Sequence, residues 1–293
     1  MSSQNNGRST MASHPLPLRV DPAPDPVDRE FEPLLREPFA GALAASDAVA
    51  GAATHAVRGR LVERLSASRA ASQAMVTARQ RRLPPAELAP GVLARTLYSA
   101  DGARALRPGE PVRARLLELR AGAQWRGAQP EHHREWLVLR GSVRVGDESL
   151  AVRDYHVEPA GAPAEPLRSD AGALLFLRES VLPAGAADAA FTVRDGEAGW
   201  PEFAPGIRRR VLWLHGGQAA MLYCAQAGAS VPLHTHGHDE ECLMVQGELF
   251  LDDVLLQEGD YQLAPAGTGH RITETDTGVV IYAHGDLDLK FVA

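Results

Sequence analysis

Short apolar runs, each bounded by Gly, Pro or Asp, follow one another from Leu83 to the end of the chain. Runs of this kind are typical of short β-strands, and many of them in succession predict a β-sandwich or a barrel. The clearest are Ala114–Leu119, Glu135–Leu139, Ala173–Leu177, Arg209–Leu214, Met221–Cys224, Cys242–Val245 and Val279–Ala283.

The N-terminal part of the chain has a different pattern. Residues 1–28 hold five prolines and no aromatic residue. They are predicted to be a disordered tail, because they cannot bury enough apolar surface to offset their ordering entropy. Residues 29–82 are predicted to be a helical segment, since Gly41–Ala56 is half alanine and apolar residues then recur at helical spacing. Two helices fit this segment, and the second is expected to end before Pro84.

An internal repeat organises the rest of the chain. A shift of 106 residues superposes Ala121–Gly161 on Ala227–Gly267 without a gap, and 14 of the 41 positions are identical. The length of 293 residues fits about two domains. The sequence therefore predicts two copies of one β domain, at residues 83–183 and 184–293, after the helical segment.

Four side chains of the second copy form a candidate metal site. His234 and His236 lie two residues apart and project to one side of an extended segment, because successive strand side chains alternate. Glu240 can return to that side across a bend, and His270 follows a Pro-x-Gly turn on a later strand. Three imidazoles and a carboxylate suit Zn, Fe(II), Mn, Ni or Cu(II). Histidines that merely belong to the core are the alternative.

The first copy has lost these ligands. The corresponding positions hold side chains that cannot replace them, namely Ala128, Pro130, Arg134 and Ala164. Glu131, His132 and His133 form a separate cluster with no second segment to complete it, and a surface loop is the preferred interpretation. The first copy is thus predicted to be free of metal and retained for packing, pseudo-dimer formation or ligand binding.

The two spaced segments resemble the signature motifs of the cupin superfamily. They read Gly228-x5-His234-x-His236-x3-Glu240-x6-Gly247 and Gly259-x5-Pro265-x-Gly267-x2-His270. The resemblance implies a double-stranded β-helix barrel of the jelly-roll type for each copy. It also implies that the metal ligands are His234, His236, Glu240 and His270, with one divalent ion per chain; zinc is expected, and Fe, Mn or Ni are alternatives.

Within that superfamily the chain is similar to ChrR-type cupins. The similarity lies in the run from His234 to Glu241, the Gly-Glu-Leu-Phe-Leu-Asp-Asp segment after it, and Gly259-Asp260-Tyr261. It implies an anti-sigma-factor-like regulatory protein whose N-terminal helices hold a sigma factor. One feature departs from that pattern: His55 is followed by Gly59 and Val62 where the N-terminal zinc motif has cysteines. The alternative implied by the resemblance is a metal-dependent dioxygenase acting on a small dicarbonyl compound.

Charge and cysteine content limit the partners. The chain has 30 basic and 37 acidic residues, a net charge of −7, which gives no general case for nucleic-acid binding. Two cysteines and the absence of a long apolar run favour a cytoplasmic protein with no membrane segment. A homodimer and a small-molecule ligand are left open. The predicted second helix is locally basic. Its basic surface is either solvated or a docking face for an acidic protein. The arginines are Arg58, Arg60, Arg64, Arg69, Arg79, Arg81 and Arg82.

Overall fold

The computed structural model describes residues 51–291 except 101, 103–104, 128–130 and 182–188. The predicted tail and the first predicted helix lie outside the described residues. Helix α1 spans Gly51–Ala74 and is the one α-helix of the described part. It is not apolar enough along its length to cross a membrane.

The second predicted helix ends earlier than expected. Helix α1 stops at Ala74, and strand β1 (Val76–Ala78) follows, then a 3-10 turn at Gln80–Arg82. The prediction that the helix continues to residue 82 is therefore wrong. The reason is tertiary: β-branched Val76 and Thr77 fit an extended strand, and β1 pairs antiparallel with β20 (Tyr261–Ala264) of the second domain.

The first domain consists of two sheets. The larger has the strand order β12-β9-β6-β11-β4-β3-β2, and the smaller has the order β5-β10-β7-β8. The strands are β2 (Ala86–Ala89), β3 (Val92–Ser99), β4 (Pro111–Leu119), β5 (Ala123–Trp125), β6 (His133–Gly141), β7 (Val143–Val145), β8 (Glu148–Leu150), β9 (Tyr155–Glu158), β10 (Leu167–Ser169), β11 (Ala173–Ser180) and β12 (Phe191–Val193).

The second domain repeats this plan. Its larger sheet runs β1-β20-β18-β23-β15-β14-β13, with β16, β19 and β22 attached, and its smaller sheet has the order β21-β17-β24. The remaining strands are β13 (Glu202–Ala204), β14 (Ile207–His215), β15 (Gln218–Ala225), β16 (Ser230–Val231), β17 (His234–Thr235), β18 (Glu240–Leu251), β19 (Val254–Gln257), β21 (Gly269–His270), β22 (Thr273–Glu274), β23 (Val279–Asp286) and β24 (Lys290–Phe291). The predicted mainly β class with two tandem jelly-roll domains is confirmed, although the described sheets do not close into continuous barrels.

Two repeated glycines show why the copies share a backbone. Gly141 and Gly247 both have a positive φ, of 72° and 81°. A Cβ atom would lie 2.1 Å from the carbonyl oxygen of Gly172 at the first position and 2.2 Å from that of Gly278 at the second. Only glycine fits this bend in each domain.

The two domains exchange their leading strands. Strand β1 precedes the first domain but pairs with β20 of the second, and β12 precedes the second domain but pairs with β9 of the first. Arg79 after β1 contacts Asp260 at 2.8 Å, and Arg194 after β12 contacts Asp154 at 3.1 Å. The exchange is thus reciprocal, and the predicted division between residues 183 and 184 does not separate the hydrogen-bonded sheets.

The larger sheets of the two domains share one core. Leu137, Tyr155 and Phe176 of the first domain belong to the same buried cluster as Tyr261 and Tyr282 of the second. The rings of Phe176 and Tyr282 lie 5.2 Å apart between centroids. The apolar area between the domains is therefore continuous and resembles the interior of a single protein.

A buried ionic cluster lies inside this shared core. Arg178 is completely buried and donates hydrogen bonds to Glu135 Oε1 at 2.6 Å, to Glu241 Oε2, and to the carbonyl oxygen of Gly109 at 2.5 Å. Tyr155 donates to Glu135 and Tyr261 donates to Glu241, at 2.6 and 2.7 Å. The two glutamates are repeat counterparts, so one arginine joins equivalent carboxylates of both domains.

Candidate metal centre

The second domain brings the predicted ligands together through its smaller sheet and the start of β18. His234 of β17 is paired in register with His270 of β21. His236 follows β17, and its backbone is fixed by hydrogen bonds with the backbones of Thr268 and Gly267 at 2.9 and 2.8 Å. Glu240 is the first residue of β18. The Pro-x-Gly turn thus returns the chain beside His236, which is how residues far apart in sequence meet.

The geometry of His234, His236 and Glu240 can hold a metal ion. Each offers one ligand atom, and these atoms lie within 4.8 Å of one another. The ring of His270 borders the group, with centroid distances of 5.1 Å to His236 and 5.7 Å to His234. All three histidines are buried, at 2–4% exposure. The structure therefore places all four predicted residues side by side, with His270 slightly outside the tightest group.

Contacts on the outer side of the rings orient two histidines. Nδ1 of His234 lies 3.0 Å from the carbonyl oxygen of Pro232, and because a carbonyl only accepts, Nδ1 must carry the proton. Nδ1 of His270 lies 3.4 Å from Oδ2 of Asp252. These contacts leave the Nε2 lone pairs of both rings for the site, which is the arrangement that metal-binding histidines use.

His236 and Glu240 form the charged part of the site. Nδ1 of His236 lies 3.1 Å from Oε2 of Glu240, while its Nε2 is buried without a hydrogen-bond partner. Burial alone would raise the pKa of Glu240, but the hydrogen bond from His236 and the charges of the three imidazoles lower it. An ionised carboxylate beside an orphaned imidazole nitrogen is a donor set that fits a divalent cation.

Asp252 was not identified from the sequence. It lies between β18 and β19 with a φ of 52°, and its counterpart in the first domain is Gly146, with a φ of 58°. A positive φ is uncommon for a residue other than glycine, and an aspartate at such a position therefore suggests that its side chain has a role. Asp252 also accepts from the backbone N–H of Arg271 at 2.8 Å. The substitution of Asp for Gly between the two copies was therefore the available signal.

Neighbouring residues that the motif contains lie outside the group. Glu241 faces Arg178 and Tyr261 in the shared core, on the other side of β18. Cys242 is buried in an apolar cluster, and burial together with the charge of Glu240 raises the pKa of its thiol well above the usual range. A thiol that stays protonated behaves as a small apolar residue rather than as a reactive group.

The equivalent region of the first domain is built differently. Arg134, the counterpart of Glu240, is buried within 3.6 Å of Glu179 and 3.9 Å of Glu158. A guanidinium thus replaces the carboxylate, as the prediction of a metal-free copy requires; Ala128 and Pro130 lie outside the described residues. The surface-loop prediction is wrong for His133, which is buried at the start of β6 and stacks on Trp213 of the second domain with ring centroids 5.0 Å apart.

A small apolar cavity adjoins the candidate metal site. His234 and Glu240 contribute to its wall, and its volume is about 70 Å³. Burial raises the pKa of one lining residue, Tyr223, to about 12, so this phenol stays neutral at physiological pH. The apolar part of the lining includes Phe203, Ile207, Met221, Ala225, Leu249, Val279, Ile281 and Ala283.

Comparison with known proteins agrees with this architecture. A family model described as the ChrR cupin-like domain matches residues 188–288. No curated protein matches the chain. One similar solved structure is a protein of Nostoc punctiforme PCC 73102 that is provisionally assigned as a dioxygenase; it has 16% identity and a TM-score of 0.57, with 75% of this chain and 81% of that one covered.

Oxalate decarboxylase of Bacillus subtilis is also similar. One variant has 16% identity and a TM-score of 0.56 over 72% of this chain and 77% of that one. Another structure of that enzyme, with the same identity, coverage and TM-score, is described by its Mn(II) centres. Identities this low establish the fold alone. Residues 188–288 of this chain thus match the family model of the ChrR cupin-like domain, and the chain shares its fold with these two-domain solved structures.

Proposed function

We propose that the second domain binds one divalent metal ion, zinc, through His234, His236, Glu240 and His270. The protein would then act as a ChrR-like regulatory protein of the anti-sigma-factor type. The observation that carries the metal assignment is that His234, His236 and Glu240 each offer a ligand atom within 4.8 Å of one another, with the ring of His270 beside them. The buried Nε2 of His236 has no hydrogen-bond partner. The regulatory role is supported by the family match over residues 188–288.

The residues of the site would hold the ion in a preset geometry. The carbonyl of Pro232 fixes the tautomer of His234, and Asp252 restrains the ring of His270. Glu240 contributes negative charge, because the surrounding imidazoles keep its pKa low. A bound ion would supply Lewis acidity, and an ion with five or six ligands would leave one or two positions for a small molecule.

Metal analysis of the full-length protein tests this assignment. We expect one equivalent of metal per chain by inductively coupled plasma mass spectrometry, and a loss of at least tenfold in His234→Ala and in His270→Ala. His132→Ala in the first domain is the matched control and should keep the full content. Unchanged metal in both site variants would show that the ligands are elsewhere.

The proposed partner is a sigma factor bound through helix α1. Arg58 and Arg60 lie on this helix beside Val57, Leu61 and Val62, which are all more than half exposed. A deletion of the whole 29–82 segment is a poor test, since it removes β1 from the second sheet. The double substitution Arg58→Glu with Arg60→Glu should instead abolish co-purification with the sigma factor and leave the metal content intact. Retained co-purification would show that the sigma factor does not bind through this face of α1.

The cellular setting belongs to the same proposal. Both cysteines are free thiols, the usual state in the reducing cytoplasm. The net charge of −7 offers no attraction for nucleic acid or an anionic membrane. We therefore place the protein in the cytoplasm, with a protein partner and a small-molecule ligand rather than a nucleic acid.

A metal-dependent dioxygenase is the second candidate. The apolar cavity beside His234 and Glu240 is the observation that favours it, because a substrate could lie there next to the ion. Oxygen uptake by the iron-loaded protein in the presence of acetylacetone would support this candidate. Stoichiometric zinc in the purified protein without oxygen uptake after iron loading would support the regulatory role.

A further inference from the structure

The cavity beside the candidate metal site has an almost entirely apolar wall. Its volume of about 70 Å³ is about half that of an engineered apolar cavity that holds benzene. His234, itself only 3% exposed, and Glu240 form its polar end. The space thus suits a ligand of a few heavy atoms whose polar head points at the ion and whose body is apolar.

The first domain shows that this space is not an inevitable feature of the fold. Ala225 and Ala283 line the cavity, and their counterparts at the 106-residue shift are Leu119 and Leu177. Both leucines are buried in the core of the first domain, at 1% and 0% exposure. The same backbone positions therefore hold larger side chains in the domain that lacks the predicted metal ligands, and small ones beside the candidate metal site.

The charges around the cavity exclude ligands that carry a second carboxylate at the end remote from the ion. Among the described residues that line it, the charged or ionisable groups are His234, Glu240 and the neutral phenol of Tyr223, and none is Lys or Arg. Arg209 contacts that phenol but donates to the carbonyl oxygen of Leu287 at 2.5 Å and stacks on the Phe203 ring at 4.4 Å. A second carboxylate at the end of the ligand remote from the ion would lose its hydration against the apolar wall without gaining a cation.

We propose that this cavity takes a small molecule with an oxygen-donor head and a short, uncharged aliphatic body, such as a short-chain monocarboxylate, and that it rejects dicarboxylates whose second carboxylate would lie against the apolar wall, such as succinate. The inference rests on the proposed metal site, since the oxygen head would bind the ion there.

Binding to the zinc-loaded full-length protein tests the ligand class. Calorimetric titration with formate, acetate, propanoate and butanoate should show affinity that rises about fourfold with each methylene. Butanoate should bind at least tenfold more tightly than succinate, which has the same number of carbon atoms and a second carboxylate, with metal retention checked after each titration. A series without chain-length dependence, or tighter binding of succinate to protein that keeps its metal, would overturn the inference and leave the metal assignment intact.

Filling the cavity provides the second test. Ala225→Leu and Ala283→Leu introduce the side chains that the first domain carries, and each should weaken butanoate binding at least tenfold without changing the metal content. Ala283→Val is a smaller step for use if a leucine variant does not fold. Ala86→Leu, at an exposed position of β2, is the control and should bind like the wild type. Butanoate affinity that survives cavity filling contradicts the proposal, whereas a wild-type chain without metal overturns the proposed function itself.

Discussion

Replacing Arg178 tests whether the ionic cluster joins the two domains. The Arg178→Met substitution keeps much of the side-chain volume but removes the guanidinium that contacts Glu135, Glu241 and the carbonyl of Gly109. Two completely buried carboxylates would then face each other without a counter-charge. Because loss of one member of a buried ion pair costs about 3–5 kcal/mol, we expect the free energy of unfolding to fall by at least about 3 kcal/mol at pH 7.

The pH dependence of this loss distinguishes charge from packing. In the wild type, burial alone would raise the pKa of Glu135, but Arg178 and His284, with the Tyr155 and Tyr282 hydroxyls, lower it from 4.5 to about 2. The contribution of Glu135 to the stability of the wild type is therefore fully present above pH 4.5 and is lost as the pH falls towards 2. In the variant, burial and mutual repulsion raise the folded-state pKa of the carboxylates above the unfolded value. Its penalty should thus be greatest at pH 7 and shrink towards pH 5.

Urea unfolding of both proteins at pH 7 and pH 5, followed by tryptophan fluorescence, measures the effect. Arg95→Met is the matched control, because Arg95 makes a partly exposed contact of 3.4 Å with Glu118 and should cost less than about 1 kcal/mol. A loss below about 1 kcal/mol in Arg178→Met, or an equal loss at both pH values, would refute the assignment of an ionised cluster.

Three further predictions concern the site and its surroundings. Asp252→Ala removes the acceptor near Nδ1 of His270, so metal affinity should fall about 10–100-fold in a competitive chelator titration; unchanged affinity would contradict the orienting role. Asp260→Ala removes the contacts with Arg79 and Gln80 directly after β1, and should destabilise the protein by about 1–3 kcal/mol. Amide hydrogen exchange should become faster in β1 before it does so elsewhere. Equal protection of β1 in both proteins would contradict this role of Asp260. Iodoacetamide should label the half-buried Cys224 and leave Cys242 unmodified by peptide mass spectrometry, because burial keeps the Cys242 thiol protonated; preferential labelling of Cys242 would contradict this.

The fold was predictable from the repeat, because residues close together in the sequence determine each strand and turn. Positive-φ glycines and turn prolines recur at a constant shift, and alternating apolar residues between them specify short strands. The convergence of the candidate metal ligands was predictable for a similar reason, because their spacing is set by one β-turn and one pair of neighbouring strands. Asp252 was not predictable in this way, because it lies 18 residues before His270 and the turn that holds it does not require an aspartate.

The strand exchange was not predictable from the pattern. The residues of β1 and β12 correspond at a shift of 115 rather than 106, and within residues 76–80 only Thr77 and Arg79 are identical to their counterparts, Thr192 and Arg194. Three-residue strands carry little local preference. Their conformation is set by pairing with strands elsewhere in the chain, since Val76 pairs with Leu263 and Phe191 pairs with Val157, and this tertiary effect outweighs propensity.

The strand exchange gives a physical reason for the chain to retain a domain without ligands. Glu240 lies on β18, which pairs with β20, and the free edge of β20 is covered by β1 from the segment preceding the first domain. Thr77 accepts a hydrogen bond from the Gln262 side chain at 3.0 Å, and Arg79 secures Asp260. Without this cover, β20 would expose an unpaired edge beside the strand that carries Glu240. The first domain therefore need not bind a metal to be required, because its position fixes the strand that supports the site.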